Sequence, residues 1–292
     1  MSADMQDLLD ILDLETLELN LFRGRSPQAS WQRVFGGQVI AQSLVAAQRT
    51  VDEERHAHSL HCYFMRPGDP KVPIIYEVDR IRDGGSFTTR RVVAIQHGHA
   101  IFSLSASFQK DEPGADHQAP RPLDVPEPES LLTQTQIIEQ HGEHLPEAVR
   151  RFWGRERPLE IRPVNLAHYT THDPQPPRHD VWMRINGAID TGRAIRSAML
   201  SYMSDMTLLD TANFPHGRSG FEPNIQMASL DHAIWFHRPV PDMGEWLLYT
   251  QDTPSATGAR GFCRGQIFSR DGLLIASVAQ EGLVRVKTRQ NT

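Results

Sequence analysis

Two cysteines in 292 residues are too few for a disulfide framework, so Cys62 and Cys263 are expected as buried thiols, one in each half of the chain. No stretch approaches eighteen consecutive apolar residues, and no membrane span is expected. The opening MSADMQDLLDILDLETLEL carries acids and lacks a basic region ahead of an apolar run, unlike a signal peptide. The closing RQNT is no peroxisomal address. These absences make the cytoplasm the expected location. Excess positive charge is missing too. The net charge of −6 argues against a general nucleic-acid partner, while leaving room for a small anionic ligand held by local Arg residues. There is no H-E-x-x-H, and His58 and His61, three apart on an expected strand, point to opposite faces. No metal or other cofactor is expected. A nucleophile elbow, G-x-S-x-G, is also lacking.

What the chain does contain is a repeat. SLHCYFMRP (59–67) resembles SLDHAIWFHRP (229–239), with Ser59 over Ser229 and Arg66 over Arg238. RRVVAIQHGHAIFSLSASFQ (90–109) lies over RGQIFSRDGLLIASVAQEGL (264–283), pairing Arg90 with Arg264, Gly98 with Gly272 and Ser103 with Ser277. Two long matches in one order imply duplication of a whole folding unit. A content of 39% hydrophobic and 23% charged residues is enough for a packed core. We expect an α+β protein with an N-terminal unit over 1–110, a proline-rich linker with a short helix over 111–150, and a C-terminal unit over 151–292.

In each half a helix precedes several long antiparallel strands. Leu and acidic residues between 4 and 21 predict a short amphipathic helix. Gly36-Gly37 leads into an Ala-rich helix through Gln48, and Gly192 into a second helix running to Leu209. Expected strands cover 59–65, 72–81, 86–96, 100–109, 181–185, 228–238, 245–253, 258–269 and 273–284.

Diverged copies are most informative where only one carries a reactive group. The first helix has no carboxylate, whereas the second places Asp205 on or beside its buried face. A buried carboxylate needs partners or a raised pKa, although Asp near a helix end also serves as an ordinary cap. Gln280 stands where the first half has Ala106; it is either paired or exposed on the outer face. Ser229 adds a hydroxyl. Together these three could hold and activate one water, the carboxylate taking its proton.

The segments VFGGQVIAQSL, HSLHCYFMRPGD, RDGGSFTTRRVVAIQHG, SYMSDMTLL, SLDHAIWFHRP, ARGFCRG and QEGLVR resemble the type II acyl-CoA thioesterases of bacteria, relatives of the peroxisomal acyl-CoA thioesterases. The resemblance runs from about residue 5 to 286. It implies a double hotdog fold, two tandem units each with an antiparallel sheet wrapped around a long central helix. It also implies a catalytic set of Asp205, Ser229 and Gln280, with Ser229 standing where many members carry Thr. His58 matches a histidine implicated in the family's site and is a possible auxiliary residue.

The implied reaction is hydrolysis of medium- to long-chain fatty acyl-CoA by an activated water. An enoyl-CoA hydratase-like enzyme and a non-catalytic acyl-CoA-binding protein are the alternatives. Gly36 and Gly37 are candidates for substrate contact. Among the available Arg residues, Arg90 and Arg264 are candidates for the CoA phosphates, against a structural role inherited by both halves. Met199, Met203 and Phe236 are expected beside the acyl chain. Hotdog proteins commonly associate, so a homodimer or homotetramer is expected.

Overall fold

The computed structural model describes residues 3–27, 33–143, 145–154, 158–187 and 191–287. The first half contains helix α1 (Ala3–Leu12), strands β1 (Glu15–Glu18) and β2 (Leu21–Gly24), helix α2 (Gly36–Gln48), and strands β3 (Arg55–Phe64), β4 (Ile74–Asp83), β5 (Phe87–Gln96) and β6 (His99–Lys110). Two short helices follow, α3 (Gln134–His141) and α4 (Glu147–Trp153). The second half contains β7 (Leu159–Pro163), α5 (Ala167–Thr170), β8 (Arg178–Ile185), α6 (Arg193–Ser204), β9 (Ile225–Ser229), β10 (Asp231–Phe236), β11 (Leu247–Thr257), β12 (Arg260–Ser269) and β13 (Leu274–Val286).

These strands form one antiparallel sheet in the order β1-β2-β4-β5-β6-β3-β10-β13-β12-β11-β8-β7, with β9 pairing on β13. The halves meet where β3 pairs with β10. Inside the curve lie α2 and α6, packed against each other. This is the double hotdog arrangement.

Sequence accounts for both central helices. α2 has no acidic residue in its first turn, is Ala-rich, and is buried from Gly37 to Ala47. A helix apolar on nearly all sides belongs inside a core. Leu44 is fully buried, so its truncation to Ala would cost about 2–5 kcal/mol. α6 also buries Ser197, Ser201 and Ser204. Their hydroxyls donate back to the carbonyls of Arg193 (3.1 Å), Ser197 (2.8 Å) and Ser201 (2.9 Å), which satisfies each donor within the helix.

Two helices end earlier than their periodicity predicts. α1 stops at Leu12 because Glu15-Thr16-Leu17-Glu18 forms an edge strand, turned back at Asn20 (φ 61°). α6 stops at Ser204, and three residues on Thr207 has φ 65°. A β-branched residue there is strained. A hydrogen bond from Gln251 Nε2 to its hydroxyl, 2.8 Å, holds it.

The pairing register carries an internal two-fold relation. His61 faces Ala233 at the seam between the halves. The N–H groups of Met65 and Arg66 both donate to the Ile101 carbonyl, as those of His237 and Arg238 donate to Ile275. The Arg66 guanidinium binds the Ala100 carbonyl as that of Arg238 binds Leu274. The matched arginines therefore do share an inherited structural role.

Candidate active site

Asp205 caps the C-terminus of α6 and is 6% exposed. Gln280 lies on β13 and is 1% exposed. Ser229 ends β9, where it faces Gly282 of β13 across the ladder. The Gln280 amide nitrogen donates to Asp205 Oδ1 at 2.9 Å and to Ser229 Oγ at 2.8 Å. Gln280 Oε1 is buried without a protein hydrogen-bond partner. The Gly37 N–H donates to the Asp205 carboxylate. Burial outweighs these hydrogen bonds and pushes the Asp205 pKa up to about 7. A carboxylate titrating there is suited to a general base.

The cluster borders a cavity of about 380 Å³. Its walls come from both halves: Val39, Phe64, Ile101 and Phe102 from the first, Met227 and Ser229 from the second. Gly36 is part of the wall, and Asp205 lies directly against it. Arg33 and Arg66 also line the cavity. The structure thus brings Asp205, Ser229, Gln280, Gly36 and Gly37 together.

Other expected residues lie elsewhere. Arg90 is buried and committed to Thr50 and Asp83: Nε donates to Thr50 Oγ1 at 2.9 Å and Nη2 to Asp83 Oδ1 at 2.6 Å. Arg264 points to the opposite face of the sheet, where it forms a two-pronged pair with Asp252 at 2.8–2.9 Å. Neither guanidinium lines the cavity. Nor are they counterparts. Ala106 faces Arg90 across β5 and β6, whereas its counterpart Gln280 faces Cys263 across β12 and β13. The counterpart of Arg90 is therefore Cys263, and that of Arg264 is Arg91. The one-residue slip exchanges the two faces of the strand.

His58 belongs to the related cleft of the first half, of about 210 Å³, with Nε2 2.8 Å from Ser107 Oγ. Ser59 is not the counterpart of Ser229 either. Ala57 faces Phe108 on β6 as Ser229 faces Gly282 on β13. The first-half cleft thus has Ala57 and Ala106 where the second-half site has Ser229 and Gln280. Met199 and Met203 are core residues, and Phe236 lines the first-half cleft. The apolar wall of the cavity is instead supplied by Phe64, Phe102 and Met227, which the sequence reading missed. Phe64, the counterpart of Phe236 by the repeat, was the available signal.

A carboxylate, an amide and a hydroxyl converge beside an open cavity of a double hotdog fold, an arrangement that suits the hydrolase class. The comparisons agree. Residues 150–283 match the family described as acyl-CoA thioesterase, and residues 25–109 match the acyl-CoA thioesterase N-terminal domain. The chain is 41% identical to human acyl-coenzyme A thioesterase 8 over 98% of its own length and 91% of that protein. It is 39% identical to acyl-CoA thioesterase 2 of Haemophilus influenzae, covering 98% and 99% of the two chains. A solved acyl-CoA thioesterase II from Mycobacterium marinum superposes with a TM-score of 0.79 at 41% identity, covering 96% of this chain and 99% of that one. The chain belongs to the type II acyl-CoA thioesterase family and is an acyl-CoA thioesterase.

Proposed function

We propose that the enzyme hydrolyses medium- to long-chain fatty acyl-CoA with water activated by Asp205, Gln280 and Ser229. The observation that carries this reading is the Gln280 amide bound to both Asp205 and Ser229 beside an apolar cavity. Asp205 takes a proton from a water whose other contacts are Gln280 Oε1 and the Ser229 hydroxyl. The water oxygen attacks the thioester carbonyl carbon. The C–S bond breaks, and the proton held on Asp205 passes to the leaving thiolate. Fatty acid and CoA thiol are released. Alignment of the water contributes several kcal/mol, roughly 7 at best. The oxyanion is assigned to the Gly36 N–H at the start of α2, where the helix dipole favours negative charge.

Arg33 and Arg66, at the cavity, are proposed to receive the CoA phosphates in place of Arg90 and Arg264. The hydratase alternative needs a histidine at the cavity wall. His232, with Nδ1 3.9 Å from Asp205 Oδ1, has a fully buried side chain and does not line the cavity. Division into units at 110 and 150, assembly into homodimers or homotetramers, and a cytoplasmic location belong to the same proposal. Among the described residues no helix is long and apolar enough to cross a membrane.

The test is thiol titration of CoA release across acyl chain lengths, for the wild type and Asp205→Asn. A loss of at least about a hundredfold in the variant is expected. Equal turnover would place the base elsewhere. A wild type that turns over only short acyl chains would remove the chain-length reading.

A further inference from the structure

His232 on β10 points inward behind Asp205 with its side chain fully buried. Nε2 is 3.0 Å from Ser204 Oγ. The Ser204 hydroxyl already donates its one proton to the Ser201 carbonyl, at 2.9 Å. It can therefore only accept from the imidazole, so Nε2 carries the ring proton and Nδ1 is a bare acceptor. Nδ1 has no hydrogen-bond partner and faces Asp205 Oδ1 at 3.9 Å. A lone pair set against a carboxylate oxygen disfavours the ionised acid and favours the protonated one. We infer that Ser204 and His232 are positioning residues that fix one imidazole tautomer behind Asp205 and thereby make Asp205 a stronger proton acceptor.

The neighbouring groups leave this role to His232. Cys62 on β3, which donates to the His232 carbonyl at 3.2 Å, is held protonated by burial. Tyr249 on β11, which donates to the Ser204 carbonyl at 2.9 Å, is likewise held protonated. Asp231 on β10 accepts the Glu281 N–H at 2.7 Å. Gln280 and Gly37 bind Asp205 but do not titrate. Burial holds the His232 pKa down to about 3, so the ring is neutral at working pH. Its effect is that of an oriented dipole.

This rests on Asp205 being the base, and the experiment separates the two ideas. His232→Gln keeps an N–H able to reach Ser204 and places no nitrogen acceptor where Nδ1 stood. Ser204→Ala removes the tautomer lock, so that the ring can turn an Nδ1–H toward Asp205. In both variants the acid limb of kcat/KM is expected to move to lower pH by about one unit, a tenfold drop in the proton affinity of Asp205. The plateau should fall as the base weakens. Isotope-edited infrared titration of the carboxyl reads the same shift without turnover. Ser204→Ala removes a single oxygen and serves if His232→Gln does not fold. A limb and a carboxyl titration that coincide with the wild type, or move upward, overturn the inference. If Asp205→Asn retains full activity, the underlying catalytic reading fails, whereas the infrared titration still tests the tautomer lock.

Discussion

Gly36 and Asp205 are in such close contact that a Cβ on Gly36 would stand 2.6 Å from Asp205 Oδ2. The same carbon would lie 3.0–3.1 Å from the Phe64 ring. The helix start of one half is thus shaped around the carboxylate of the other. Gly36→Ala is expected to displace Asp205 and lower kcat by tenfold or more, roughly the cost of misplacing a catalytic group, while the protein stays folded. Gly37→Ala is expected to act differently, because its Cβ would meet the Tyr202 carbonyl oxygen. That contact is with backbone, so stability falls first. Thermal melts and kcat on both variants separate the two effects.

Asp205 must be ionised to accept a proton. With its pKa raised to about 7, kcat/KM should rise with pH through a half-point near neutrality and lose activity below it. A pH–rate profile checks this. A half-point near 4 would mean that the carboxylate is not held as described.

The same shift affects folding. An unfolded Asp titrates near 3.9, so between that value and about 7 the folded chain binds more protons than the unfolded one. Stability contributed at this position therefore declines as pH rises through that window, by up to about 4 kcal/mol. Asp205→Asn, which never ionises, should melt higher than the wild type at pH 8 and close to it at pH 4. A difference in Tm that does not vary with pH would count against this account.

Gln280→Leu leaves Asp205 Oδ1 and Ser229 Oγ without their shared donor. A fall in kcat of roughly ten- to a hundredfold with little change in KM is expected, since in the proposed mechanism the amide orients water rather than substrate. Ser229→Thr preserves the hydroxyl and should stay within a few-fold of the wild type, whereas Ser229→Ala should not. Steady-state kinetics on the three variants decide the point.

Arg90 gives a contrasting case. Its removal in Arg90→Leu orphans the buried Thr50 carbonyl, while the Thr50 hydroxyl keeps its bond to the Ala47 carbonyl. A loss of about 1–3 kcal/mol is expected, with KM for acyl-CoA unchanged. A raised KM without loss of Tm would return Arg90 to the substrate site.

Much of this was legible in the sequence. The paired motifs around Arg66 and Arg238 mark equivalent backbone positions, and their guanidiniums bind equivalent carbonyls. Helix periodicity located α2 and α6, and the Ala106–Gln280 difference holds in the strand register. What sequence comparison lost was strand register, by two residues at Ser229 and by one at Arg264. In each half the ladder changes register just before the seam, at Ala57/Ser59 on β3 and where β9 gives way to β10. Both halves share that step, so the slips arise elsewhere. The motif at 59–67 is two residues shorter than that at 229–239, which sets Ser59 on Ser229. The turn between β5 and β6 is one residue shorter than that between β12 and β13, which sets Arg90 on Arg264. Because side chains alternate, each such error moves a residue to a different neighbour or face. Nor could spacing reveal that Thr207 would adopt a left-handed conformation and end α6 early enough to leave Asp205 as its cap.

The His61–Ala233 seam means that the molecule has two clefts related by one axis, of which only one carries the carboxylate–amide–hydroxyl cluster. Walls of the cleft that carries the cluster come partly from the half whose own cleft has Ala57 and Ala106. A symmetric pair of identical chains could not change one cleft without changing the other. Once both copies share a chain, each position can mutate alone, so one half can hold polar groups in a cleft that the other half helps to wall.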